Sequence, residues 1–145
     1  MKEKHKQAFM RTAEVFAECS TAVRAKVGAI IVKDDRIISI GYNGMPSGWD
    51  NTCENFVGYD KGGEERLNTK PEVLHAETNA IAKLAKSTES GDGAVLFITH
   101  SPCLDCAKLV YQSGIHSVYY RSHYRDTAGI EFLKKSGVRV EQLDV

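Results

Sequence analysis

Apolar residues follow two rhythms along this chain, one helical and one extended. Over residues 3–20, Phe9, Ala13, Phe16 and Cys19 recur at three- and four-residue intervals, with Ala8, Thr12 and Val15 beside them, which predicts an amphipathic helix. On that stripe Cys19 reads as a small buried hydrophobe. Residues 27–33 (VGAIIVK) and 36–42 (RIISIGY) are short and β-branched, and predict two strands joined as a hairpin through Asp34-Asp35. Residues 43–73 follow neither rhythm. They are rich in Gly, Asn and charge and predict a long irregular segment, of a length that in compact domains commonly carries function.

The second half is more regular. Residues 75–87 (HAETNAIAKLAKS) combine strong helix formers with an apolar stripe at Ala76, Ala80, Ile81 and Leu84. Gly91-Asp92-Gly93 marks a turn, and residues 94–99 (AVLFIT) form an unbroken apolar run suited to a buried central strand. Pro102 fits the opening of a helix that runs to about Gln112 and stops near Gly114. A strand at 117–121, a helix at 128–136 closed by Gly137, and a strand at 138–143 complete the chain. The order α-β-β-α-β-α-β-α-β predicts an α/β fold with a five-stranded mixed sheet between helices, in a single domain of residues 1–145. The helix between the last two strands makes them parallel, because a tight hairpin is open only to antiparallel strands.

Charge narrows the partners. The chain has 19 basic and 19 acidic residues, for a formal net charge of zero. A protein that grips a long polyanion shows a basic excess or stripe, so this balance favours a small substrate over nucleic acid. No run has the length of a membrane span. The opening MKEKHKQAFMRTAEVFAE mixes both signs without an apolar core and does not read as a signal peptide. Four cysteines without a disulfide-scaffold pattern point to a reducing compartment: the cytoplasm, or a host cytoplasm if the source is viral.

The chemistry lies in His75-Ala76-Glu77 and Pro102-Cys103-Leu104-Asp105-Cys106. One imidazole and two thiolates give zinc three protein ligands and leave a fourth position open to water, the pattern of a catalytic site. H-x-E followed by P-C-x-x-C is the signature of zinc nucleobase deaminases. A closed structural site would want a fourth ligand, but neither Cys19 nor Cys53 belongs to a second C-x-x-C, and Glu77 would have no task there. His75, Cys103 and Cys106 are therefore the expected ligands of one Zn²⁺. Glu77 is the expected acid and base, passing protons between water, a ring nitrogen and the departing amine. Both half-motifs open helices, whose partial positive ends favour thiolate.

With those residues placed, the chain resembles the deoxycytidylate (dCMP) deaminases of the cytidine deaminase superfamily. The resemblance runs from Val27 onward through VGAIIV (27–32), GYNGMPSG (41–48), HAETNAI (75–81) and PCLDCAK (102–108). The zinc motifs are common to the superfamily, and GYNGMPSG favours the dCMP branch. The resemblance implies a three-layer α-β-α cytidine-deaminase-like fold and conversion of dCMP to dUMP for thymidylate supply. It implies that Asn43 contacts the deoxyribose and that Ala76 and Ser101 frame the base. It also implies a homohexamer activated by dCTP and inhibited by dTTP. Gly44, Glu65, Arg66, Asn68 and Lys70 would surround the effector, whose triphosphate would bring Mg²⁺. A second zinc site through histidines before the catalytic motif is not expected, because none lies between His5 and His75. The alternatives are a deaminase of another small base or nucleoside, and a non-catalytic zinc module.

A 5′-phosphate requires donors. Lys26, Tyr120, Tyr124 and Arg125, with Arg121, flank strand ends expected near the mouth of the site. Asn43-Gly44 alone would also suit a plain turn after a strand. Cys53 reads as a free loop thiol, His100 as a residue packed near the site, and His5, His116 and His123 as surface or strand-end residues. Lys83 and Lys86 read as surface or subunit-contact positions. Trp49 fits a loop anchor or part of an effector pocket.

Overall fold

The computed structural model describes residues 1–144. Helix α1 (Glu3–Ala17) leads into the hairpin of β1 (Gly28–Lys33) and β2 (Arg36–Tyr42), then a second hairpin of β3 (Glu54–Tyr59) and β4 (Glu65–Thr69). The remaining elements are α2 (Ala76–Ala85), β5 (Val95–His100), α3 (Leu104–Gln112), β6 (Ser117–Ser122), α4 (Ala128–Lys135) and β7 (Arg139–Gln142). The main sheet has the order β2-β1-β5-β6-β7. β1 runs antiparallel to both neighbours, while β5-β6 and β6-β7 are parallel, as the intervening helices require. Asp34 and Asp35 link β1 to β2 with φ of 53° and 58°, the left-handed pair that matches strand twist in a two-residue hairpin.

Strand alternation divides the core into two layers. Ile30 and Val32 of β1, Phe97 of β5 and Tyr119 of β6 face α1, where they meet Met10 and Ala13. Ala29, Ile31, Leu96, Ile98, Val118 and Tyr120 face the other way, against Ala76, Ala80, Ala107, Val110, Ile130 and Leu133 of α2, α3 and α4. The result is the three-layer α-β-α arrangement. Among the described residues no helix is long and apolar enough to cross a membrane.

Two expectations need correction. Residues 43–73 are not irregular throughout, since β3 and β4 pair in a separate two-stranded sheet. Both strands expose most of their side chains and the register breaks between Phe56 and Tyr59, so no clean apolar alternation marks them. Cys19 is exposed rather than buried. The helix ends at Ala17, and its buried line is Met10, Ala13 and Ala17, one step round from the expected stripe, which leaves Val15 59% exposed.

Two close approaches position the second half of the molecule. A Cβ on Gly41 of β2 would lie 2.3 Å from the Ala76 carbonyl oxygen, and one on Gly129 of α4 would lie 2.1 Å from that of Pro102. Each glycine lets a backbone press against one of the two sequence motifs. Gly129→Ala is therefore expected to push the Pro102-Cys103 turn out of place. The expected result is a fall of several degrees in melting temperature together with reduced zinc content, read by thermal unfolding and metal analysis.

Candidate active site

His75 occupies the N-cap position of α2 and Cys103 that of α3, both with extended backbone and neither with a side-chain capping bond, so both half-motifs stand where helix N–H groups are unpaired. α2 is strapped to the edge strand β2 along its length. Ser39 Oγ donates to the Ala80 carbonyl at 2.7 Å, Asn79 Nδ2 to that of Tyr42 at 2.8 Å, and Lys83 Nζ to that of Ile40 at 2.8 Å. Lys83 is exposed, as expected, and from the surface braces helix to strand.

These placements bring the donor atoms of His75, Cys103 and Cys106 within 4.8 Å of one another. His75 Nδ1 lies 3.1 Å from Cys106 Sγ and 3.7 Å from Cys103 Sγ. A tetrahedron with ordinary Zn–N and Zn–S bonds has edges of about 3.5–3.8 Å, so the triad fits zinc in both donor chemistry and spacing. Hydrogen bonds from Cys106 and then His75 draw the Cys103 thiol down to about 4. The Cys106 thiol is pushed up, first by its bond to Cys103 and then by burial. The bond to Cys103 raises His75. The triad therefore holds protons that a cation would displace.

Glu77, one residue into α2, is 4% exposed and is not among the three clustered ligands. Burial pushes its carboxyl up to about 7 before any metal charge is added. A carboxyl near that value can both take and give a proton at neutral pH.

A cavity of about 470 Å³ opens over these groups. His75, Ala76, Glu77 and Cys103 line it, with His100 and Ser101 at the end of β5 and His123, Tyr124 and Arg125 after β6. Asn43, Ala22, Arg24, Ala25, Val27, Glu54, Thr69 and Val73 complete the wall. It thus lies at the carboxyl ends of the parallel strands, where open α/β sheets place ligands. Ser101 is 3% exposed, and its Oγ accepts from the Tyr124 N–H at 2.6 Å, fixing the loop that carries Tyr124 and Arg125. Asn43 is occupied similarly: Oδ1 accepts from the Val27 N–H and Nδ2 donates to the Ala25 carbonyl, each at 2.8 Å.

Of the expected phosphate donors, Tyr124 and Arg125 line the cavity, whereas Lys26 and Tyr120 do not. Tyr120 is 6% exposed and packs in the core with its ring against His123. Arg121 pairs with Glu14 of α1 instead. His123 is exposed just after the end of β6, as expected of a strand-end residue, and also lines the cavity; burial lowers His100. Gly44 bridges to Leu74, and Glu65, Arg66, Asn68 and Lys70 lie on or just after β4, all outside the cavity lining. Cys53 is 1% exposed beside Thr21 Oγ1 at 3.4 Å, and among the described residues it joins no ligand cluster.

Sequence reasoning missed Arg24, Glu54 and Thr69. Arg24 was within reach of it, because the argument for Lys26, a cation in the link before the first strand, applies equally two residues earlier.

Residues 3–122 match the model of the cytidine and deoxycytidylate deaminase zinc-binding region. A crystal structure of the dCMP deaminase from the cyanophage S-TIM5, in complex with dCMP and dUMP, superposes with a TM-score of 0.88 at 50% identity, covering 99% of each chain. Mouse deoxycytidylate deaminase is 37% identical over 137 residues, which span 90% of this chain and 74% of that protein. ComE operon protein 2 of Bacillus subtilis is 36% identical over 140 residues, spanning 96% and 71% respectively. The histidine, the two cysteines and the free carboxylate all fall within the matched residues 3–122, and the chain belongs to the cytidine and deoxycytidylate deaminase zinc-binding family.

Proposed function

We propose that this chain catalyses hydrolytic deamination of dCMP to dUMP and ammonia, on one Zn²⁺ held by His75, Cys103 and Cys106. The observation that carries this reading is a buried Glu77, outside the ligand cluster, beside a His/Cys/Cys triad, under a cavity lined by two arginines, Arg24 and Arg125. The dCMP and dUMP bound to the cyanophage relative support the substrate.

Zinc bound there supplies a Lewis acid that makes water nucleophilic near neutral pH. Glu77 takes a proton from the water that attacks C4 and delivers it to the ring nitrogen. It then carries the second water proton to the amine as the C4–N bond breaks and ammonia leaves. The Ala76 backbone and the Ser101 turn bound the base, and Asn43 lies beside the sugar. Tyr124 and Arg125 reach the phosphate, in place of Lys26 and Tyr120, which lie elsewhere.

Control by dCTP as activator and dTTP as inhibitor, with Mg²⁺ on the triphosphate, belongs to the same proposal, as do a homohexamer, a single-domain organisation and a cytoplasmic setting. The β3-β4 hairpin supports the assembly. An isolated two-stranded sheet is marginal in water, and this one exposes Phe56, Val57 and Tyr59 by 54%, 43% and 66%. Ammonia release from dCMP, CMP, deoxycytidine and cytosine tests the function, and the same assay with dCTP or dTTP reads the control. dCMP is expected to yield one ammonia per dUMP and to react fastest. Faster release from cytosine or deoxycytidine would assign the site to another small substrate.

A further inference from the structure

Residues 18–27, between α1 and β1, form neither helix nor strand, yet Ala22, Arg24, Ala25 and Val27 all line the cavity. A segment without ladder bonds takes its shape from elsewhere, and here much of it comes from the open end of the β3-β4 hairpin. The N–H groups of Val23 and Arg24 both donate to Glu54 Oε2, at 2.8 and 3.0 Å. Thr21 Oγ1 donates to the Asn51 carbonyl at 2.7 Å. Arg24 Nη1 donates to Thr69 Oγ1 at 3.2 Å. Glu54 begins β3, Thr69 ends β4, and the two are direct cross-strand partners. Glu54 is 8% exposed, and a carboxylate that far from water needs such donors.

The chemistry of the two anchors matters. Thr69 offers a neutral hydroxyl, which orients the guanidinium without cancelling its charge. Glu54 spends one oxygen on backbone N–H groups. Among the described residues, Arg24 forms no ion pair with a carboxylate. The remaining N–H groups of its planar fork are left for an anion, and paired oxygens of a phosphate are an acceptor that the fork matches.

We infer that Glu54 and Thr69 are positioning residues that hold Arg24 at the cavity wall as a donor to the anionic end of the substrate. This rests on the proposed reading that the substrate is a nucleotide. The hairpin thereby becomes part of the specificity apparatus: it touches the cavity through its terminal residue pair and sets which substrates are retained, while Glu77 and the zinc ligands set the chemistry.

The test is steady-state kinetics on dCMP and deoxycytidine for the zinc-loaded wild type, Glu54→Gln, Thr69→Val, Arg24→Ala and the Arg24→Ala/Thr69→Val double variant. Each single substitution is expected to raise KM for dCMP about tenfold while kcat falls by no more than about twofold, so that preference for dCMP over deoxycytidine drops about tenfold. Thr69→Val is expected to add nothing once Arg24 is absent, because both act through one contact. Equal losses on the two substrates, unchanged preference, or additive effects in the double variant would overturn the inference. Thr69→Val carries the test if Glu54→Gln does not fold. A wild type indifferent to the phosphate would overturn the nucleotide reading and this inference with it; a wild type that prefers dCMP, with variants that keep that preference, would overturn the inference alone.

Discussion

Glu77→Gln is expected to lose deamination by about a thousandfold or more while keeping its zinc and gaining stability in the metal-free state. The loss follows because, in the proposed reaction, water activation and both proton deliveries run through one carboxylate, and an amide of the same shape can do neither. The gain follows from burial, which holds the carboxyl at about 7 against an ordinary value of 4.5. Between those values the folded chain binds more protons than the unfolded chain, so stability falls as pH rises through the window. Above it the full cost of a buried carboxylate is present, on the order of 3 kcal/mol. Metal-free Glu77→Gln should therefore melt roughly 5–10 °C above the metal-free wild type at pH 8, with the gap closing below about pH 4.5. Metal analysis, turnover and melting curves at the two pH values check all three parts. Retention of more than about a tenth of wild-type turnover would remove Glu77 from the proton path.

Cys103→Ser is expected to carry the second largest effect. The purified wild type should hold about one equivalent of zinc, and the variant less than about a tenth of that, with turnover lost in parallel. Of the two cysteines, Cys103 is the one drawn toward thiolate, so its replacement removes the readiest donor. Metal bound only to the folded chain stabilises it by mass action, so the wild type should gain melting temperature from added zinc and the variant should not. Full occupancy in Cys103→Ser would take that residue out of the ligand set.

The parts of the fold that could be read from the sequence are those where burial imposes a period. β5 and β6 lie in the sheet centre and α2 carries a one-sided stripe, so Leu96, Ile98, Ala80 and Leu84 announce their elements. The Asp34-Asp35 hairpin was legible because two residues between apolar runs leave one economical turn. β3 and β4 were not legible, because a hairpin largely in solvent imposes no alternation on Asn55, Phe56 and Val57. In α1 the error was one of phase: Met10 and Ala17, rather than Cys19, face β1.

The candidate site divides the same way. His75, Glu77, Cys103 and Cys106 were legible because metal and proton chemistry allow few residue types and little freedom in spacing. The wall was not. Arg24, Glu54 and Thr69 come from three separate segments and meet only through the fold, while Lys26, two residues from Arg24 in the chain, does not line the cavity. Asn43 and Ser101 were chosen for contact with the nucleotide, and the structure shows both already engaged in fixing the loops that surround it.

The most direct measurement is the ratio of kcat/KM for dCMP to that for deoxycytidine, on one zinc-replete preparation. Two arginines line the cavity, and charge-assisted bonds from them to a phosphate would be unavailable to the nucleoside, so the expected ratio is about a hundredfold or more in favour of dCMP. A ratio near one, with deoxycytidine turned over as readily as its phosphate, would contradict the assignment.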